Sequence, residues 1–170
     1  MARRNNSKTR AFMLTESLVV IAIFLAIISV SLGMYVSAYK IWREVAALAE
    51  AQQKASITVR AIVYGIRGSG ESKVNGLLEA KSFTIPTSSE IDFTSGVDSQ
   101  VRSFYLDANN NLVYSPPVGN DTTVVKGLSS LTFTQETSKR VKVTVTAHST
   151  VINKTIQVSL ENSVVIRNAR

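Results

Sequence analysis

Residues 9–36 read TRAFMLTESLVVIAIFLAIISVSLGMYV, and the rest of the chain is organised around them. A transmembrane helix needs roughly 20 apolar residues. This run is longer, and after Ser17 only small Ser and Gly residues interrupt it. One carboxylate, Glu16, stands almost at its start, directly behind a basic leader. A cleaved secretory signal would carry an apolar region of about 7–15 residues and a small-residue cleavage site. Val36-Ser37-Ala38 offers such a site, but the run is too long for that reading. Arg3, Arg4, Lys8 and Arg10 precede the segment, while Lys40 and Arg43 follow it beside Glu44. By the positive-inside tendency the N-terminus stays cytoplasmic and the remainder is exported.

The whole chain, 170 residues, has room for one compact domain besides a membrane helix. Its net charge of +7 suggests nucleic acid at first sight. Four of those charges sit in the first eleven residues, and the others form no basic run, so no nucleic-acid partner is expected. There is no cysteine, hence no disulfide framework and no thiolate metal site. The sequence divides into a polar, basic leader (1–11), an apolar segment (12–39) and a water-soluble extracytoplasmic domain (40–170).

Helix formers continue past the apolar segment. From Lys40 to Ile66 there is no Pro, and no Gly before Gly65. Ile41, Val45, Leu48, Gln52, Ala55, Val59, Ile62 and Ile66 step by four and three, which is one stripe along a helix. The glycines of GIRGSGESK (65–73) then end it. The expectation is one helix from Phe12 to about Arg67. Its second half lays the stripe on the protein's own domain rather than in a coiled-coil seam, which Gln52 and Ala55 would weaken.

Beyond Gly76 the period becomes two. RVKVTVTAH alternates Val141, Val143, Val145 and Ala147 against Lys142, Thr144, Thr146 and His148. TIQVSLE, SLTFTQ and EIDFTSG alternate in the same way, and VRSFYLDANNNLVYSP reads as two strands around a turn. A one-faced antiparallel sheet must bury its apolar side, and the amphipathic half-helix is the nearest cover. The fold class is α+β: a long N-terminal helix, half transmembrane, half packed on an antiparallel sheet.

Catalytic chemistry is sparse. His148, the one histidine, falls on the polar face of its strand. No Ser/His/Asp spacing, HExxH or phosphate loop is present. Asp107, Asn109 and Asn111 match the first three ligand positions of a calcium loop. Leu112 stands where that loop needs Gly, and no Glu closes it, so a hairpin turn is the expectation. Neither a cofactor, a metal nor an enzymatic activity is expected.

RAFMLTESLVVIAIFLAIIS (10–29) resembles the N-terminus of type IV pilins and type II secretion pseudopilins. In that family a basic leader ends in a small residue, and a prepilin peptidase cuts before an aromatic whose new amino group is methylated. Glutamate is the fifth mature residue, and an apolar helix follows. The matching positions here are Ala11 and Phe12, flanking the cut, and Glu16, the assembly residue. Ala11 departs from the usual Gly. Gly33 stands in a segment where many members carry a proline, and the C-terminal disulfide of major pilins is absent. The resemblance implies a minor pilin or pseudopilin, held in the cytoplasmic membrane and then built into a pilus, competence or secretion filament. Its partners would be prepilin peptidase, other pilin subunits, an inner-membrane assembly platform and membrane lipids. The alternative is an uncleaved single-pass membrane protein with an extracytoplasmic ligand- or protein-binding domain.

Overall fold

The computed structural model describes residues 6–66, 73–152 and 154–166, with side-chain surroundings from Thr15 onward. Arg3, Arg4 and most of the glycine-rich break after Ile66 lie outside the described residues. Two compact units are formed, Met1–Arg43 and Glu44–Arg170. A single element enters both: helix α1, Asn6–Tyr64, 59 residues long. No proline interrupts it, and Gly33 sits in open space with nothing near its absent side chain. In the first unit the large apolar side chains from Leu18 to Tyr39 are exposed. This is one helix long and apolar enough to cross a membrane.

In the second unit the helix ends at Tyr64, and Gly65 turns the chain with φ +76. Such a left-handed residue commonly closes a helix, and glycine adopts it without a β-carbon clash. Strand β1 (Gly65–Ile66) pairs antiparallel with β2 (Val74–Asn75), and a 3-10 turn, Leu77–Glu79, follows. Five strands then form an antiparallel meander: β3 (Ala80–Thr87), β4 (Glu90–Ser95), β5 (Val101–Leu106), β6 (Leu112–Ser115) and β7 (Thr122–Val125). The second sheet is antiparallel in the order β10-β9-β8, from β8 (Leu128–Thr137), β9 (Arg140–Val151) and β10 (Lys154–Val165). The architecture is α+β, with the amphipathic half of α1 packed on antiparallel sheets.

One core joins these elements. Across β4, β5 and β6, Phe93 stacks on Phe104 and Tyr114 packs tilted against Phe104, with ring centroids 5.6 and 5.2 Å apart. Val141, Val143, Val145 and Ala147 of β9 face the same core, with Leu131 and Phe133 of β8. The period-two reading of these strands therefore holds. From α1 the core receives Ala55, Ile62 and Val63.

The expected stripe is corrected at its upper end. Ile41, Val45, Leu48 and Gln52 are exposed, and Ile66 belongs to β1 rather than to the helix. The buried face is Ala47, Ala51, Ala55, Thr58 and Ile62, turned by roughly 70° from the expected one at 3.6 residues per turn. The reason is steric. The inward valines of β9 share a core with Ala55 and Ile62, and a side chain as small as Ala55 lets the helix approach where a larger aliphatic would overpack. Polar ties flank that face. Ser149 Oγ donates to Glu50 Oε2 at 2.9 Å, and Lys154 Nζ reaches Glu44 Oε1 at 3.2 Å.

Candidate membrane and assembly site

The residues singled out by the sequence all lie on α1. Its backbone is helical through Ala11 and Phe12, whose side chains lie outside the described residues. Glu16 sits one turn further on. It is exposed and shares its stretch of surface with Thr15, Val19 and Val20. Behind it come 23 uncharged residues, 17–39. The polar atoms in this run are largely satisfied within the helix. Ser29 Oγ donates to the Ala26 carbonyl, Ser31 Oγ to Ile27 and Ser37 Oγ to Gly33, at 2.8–2.9 Å. Such back-bonding removes the cost of a bare hydroxyl in hydrocarbon.

At the far end of the run is a cluster that the sequence reading passed over. Tyr39 and Trp42 stack with centroids 6.2 Å apart, and the Arg43 guanidinium lies 5.8 Å from the centre of the Tyr39 ring. Tyr35, one turn earlier, is 69% exposed and Trp42 65%. The signal was legible as aromatics at i, i+4 and i+7 beside Lys40 and Arg43, where the apolar run ends.

The domain offers less. Asp107 heads a hairpin turn between β5 and β6, as expected. Its Oδ1 accepts from the Asn109 and Asn111 backbone N–H groups, its Oδ2 accepts from the Asn111 amide, and Asn110 has φ +60. These bonds hold its carboxyl below the usual range. Asn111 Oδ1 and the Asn110 carbonyl then take the Gly127 and Leu128 N–H groups, tying the turn to the start of β8. The loop's oxygens thus have structural occupations. His148 lies on the outer face of β9, with Nδ1 2.8 Å from Ser129 Oγ. No group of three or more metal-ligating side chains is found among the described residues.

Two further polar groups were not foreseen. Arg102 is buried at 8% exposure and bonds Asp98 with both terminal nitrogens, at 2.9 Å for Nη1 to Oδ1. The guanidinium holds the Asp98 carboxyl well below its ordinary range. Because Asp98 already neutralises it, Arg102 serves as a pin for the β4–β5 loop rather than as a ligand anchor. On the outer face of the five-stranded sheet, Asp121 accepts from Tyr105 and Ser115, each at 2.7 Å. That carboxylate pushes the Tyr105 phenol up to about 12. A groove lies beside the end of α1, between Arg60, Tyr64, Lys73 and Glu79.

Comparison with known proteins finds no matching family model, no matching curated protein and no matching solved structure.

Proposed function

We propose that the chain is a filament subunit of the type IV pilin or pseudopilin kind, most like a minor one. In this reading it is stored in the cytoplasmic membrane through α1, cut between Ala11 and Phe12, methylated on Phe12 and assembled by helix stacking. One observation supports it above the rest: Glu16 stands exposed at the head of a 23-residue uncharged helix surface, immediately behind the basic leader. A carboxylate at the bilayer centre costs about 2.5–3.5 kcal/mol on insertion scales. At the hydrocarbon boundary Glu16 escapes most of that cost, and a partner of opposite charge favours stacking rather than rescuing insertion. Cleavage before Phe12 creates a positive amino terminus four residues from it. A neighbouring subunit's terminus then meets Glu16 as helices stack with an axial offset. Head-to-tail contacts that do not close generate filaments. The domain carries no catalytic role in this proposal and serves as the outer body of the subunit. Its partners are prepilin peptidase, other pilin subunits and an inner-membrane assembly platform.

Mass spectrometry of the N-terminal peptide, taken from membranes of cells expressing the full chain, tests the reading. The expected main form begins at N-methylated Phe12. A main form still carrying Arg10-Ala11-Phe12 overturns it in favour of the uncleaved anchor. A new end at Tyr39 identifies a secretory signal instead.

A further inference from the structure

We propose that Tyr35, Tyr39 and Trp42, with Lys40 and Arg43, form a girdle that docks in the phospholipid headgroup layer and fixes how deep α1 sits in the bilayer. The proposal rests on reading α1 as a membrane helix and adds to it a specific lipid contact and a register.

The distances come first. Residues 17–39 carry no charge and rise about 35 Å at 1.5 Å per residue, enough to cross a hydrocarbon core of about 30 Å with the last turn to spare. Residues 39–43 then span about 6 Å, close to the roughly 5–8 Å of one headgroup layer. Into that short interval fall Tyr39, Trp42, Lys40 and Arg43. Tyr35 sits one turn before the end of the uncharged run. With this end in the headgroups, Glu16 reaches the opposite hydrocarbon boundary and not the bilayer centre.

Side-chain geometry supplies the second argument. Tyr35, Tyr39 and Trp42 stand at i, i+4 and i+7, so they share one face of the helix. Tyr39 and Trp42 stack on each other, and both are exposed. Aromatic rings of this size normally bury most of their area in a soluble protein. Tyr and Trp bodies with a polar tip are the side chains that favour the membrane–water boundary. Arg43 lies over the Tyr39 ring, which leaves its guanidinium beside the aromatic pair and at the level of lipid phosphates. Lys40, one residue beyond Tyr39, has the stem length to snorkel to the same level. The positive pair complements anionic phosphate, and the rings complement the glycerol region beneath it.

Trp42 is the one tryptophan of the chain, so native fluorescence reports its depth. The full chain is reconstituted in phosphatidylcholine–phosphatidylglycerol vesicles containing lipids brominated either high or low on the acyl chain, and flotation scores insertion independently. The expected result is a floating chain whose Trp42 is quenched at least twofold more by the shallow bromines. The Lys40→Gln/Arg43→Gln double variant should float as well but lose that preference. Equal or stronger quenching by deep bromines in a floating chain overturns the girdle and leaves the membrane helix standing. So does an unquenched Trp42 in a floating chain. An unchanged quenching ratio in the double variant removes Lys40 and Arg43 from the proposal. A chain that does not float overturns the membrane reading and the girdle together.

Discussion

Gly65 and Gly76 stand against each other with no room for a β-carbon on either. A β-carbon on Gly76 would collide with the Gly65 nitrogen and the end of α1, and one on Gly65 would lie 2.8 Å from the Gly76 nitrogen. The contact lies where the helix hands over to the paired strands β1 and β2. Gly76→Ala should therefore cost about 3 kcal/mol, at the top of the range for overpacking, because backbone cannot rotate away as a side-chain end can. Gly65→Ala adds the penalty of a left-handed alanine, about 1–2 kcal/mol. Thermal melts of a chain beginning at Lys40, expected to fold as the soluble helix–sheet domain, would check both. An unchanged Tm for Gly76→Ala would mean that the handover is not built as described.

The rotation of the helix face has its own test. Ile62 is fully buried in the core, whereas Val45 is exposed. Ile62→Ala should cost about 2–5 kcal/mol, and Val45→Ala under about 0.5 kcal/mol. Denaturant melts of the two variants would separate the observed face from the stripe read off the sequence. Equal losses would restore the original stripe.

Acid should weaken the domain partly through Asp98. Its carboxyl is held below the ordinary range, chiefly by its bonds to Arg102. A depressed folded-state pKa means that the stabilisation is complete above the unfolded value, near 4, and is lost as pH falls towards the folded value. Asp98→Asn should therefore melt below the parent at pH 7, with the gap narrowing as pH drops below about 4. Glu50, Asp107 and Asp121 are also depressed, so both proteins should still lose stability in acid. A gap that is constant with pH would remove the charge from the explanation.

Glu16 should matter for assembly and not for folding. Glu16→Ala should leave membrane insertion and the domain's melt unchanged, yet cut incorporation into sheared filaments, relative to the membrane pool, by roughly tenfold, the equivalent of about 1.4 kcal/mol. Glu16→Asp should be partly tolerated, since it keeps the charge. Normal incorporation of Glu16→Ala would return Glu16 to a carboxylate that merely reaches the headgroups.

How legible the molecule was varied with the kind of signal. Long periodic strands announced themselves: Val141, Val143 and Val145 alternate with polar residues over a whole strand, and the structure buries them. The helix beyond the apolar run was also plain, because Pro is absent and Gly scarce. Which of its faces would be buried was not. Sequence periodicity weighs large aliphatics, but the buried face includes Ala47, Ala51 and Ala55, small side chains that such weighting passes over. Strands β3 and β7 escaped notice for a different reason. Most of their residues stay exposed, so no alternation marks them. On α1, Glu16 was visible as a charge out of place. The spacing of Tyr35, Tyr39 and Trp42 was there to be read, but the stacking of Tyr39 on Trp42 is spatial and no residue type announces it.

Ser29, Ser31 and Ser37 turn their hydroxyl hydrogens back onto their own helix. Polar side chains with hydrogens to spare would act as adhesive between neighbouring helices in lipid, where such bonds are worth roughly 0.6–2 kcal/mol each. Here that adhesive is already spent. If the chain is the filament subunit proposed above, its copies in the bilayer would have little reason to pair through these serines, and an idle reservoir would stay dispersed until a charged end appears for Glu16 to find.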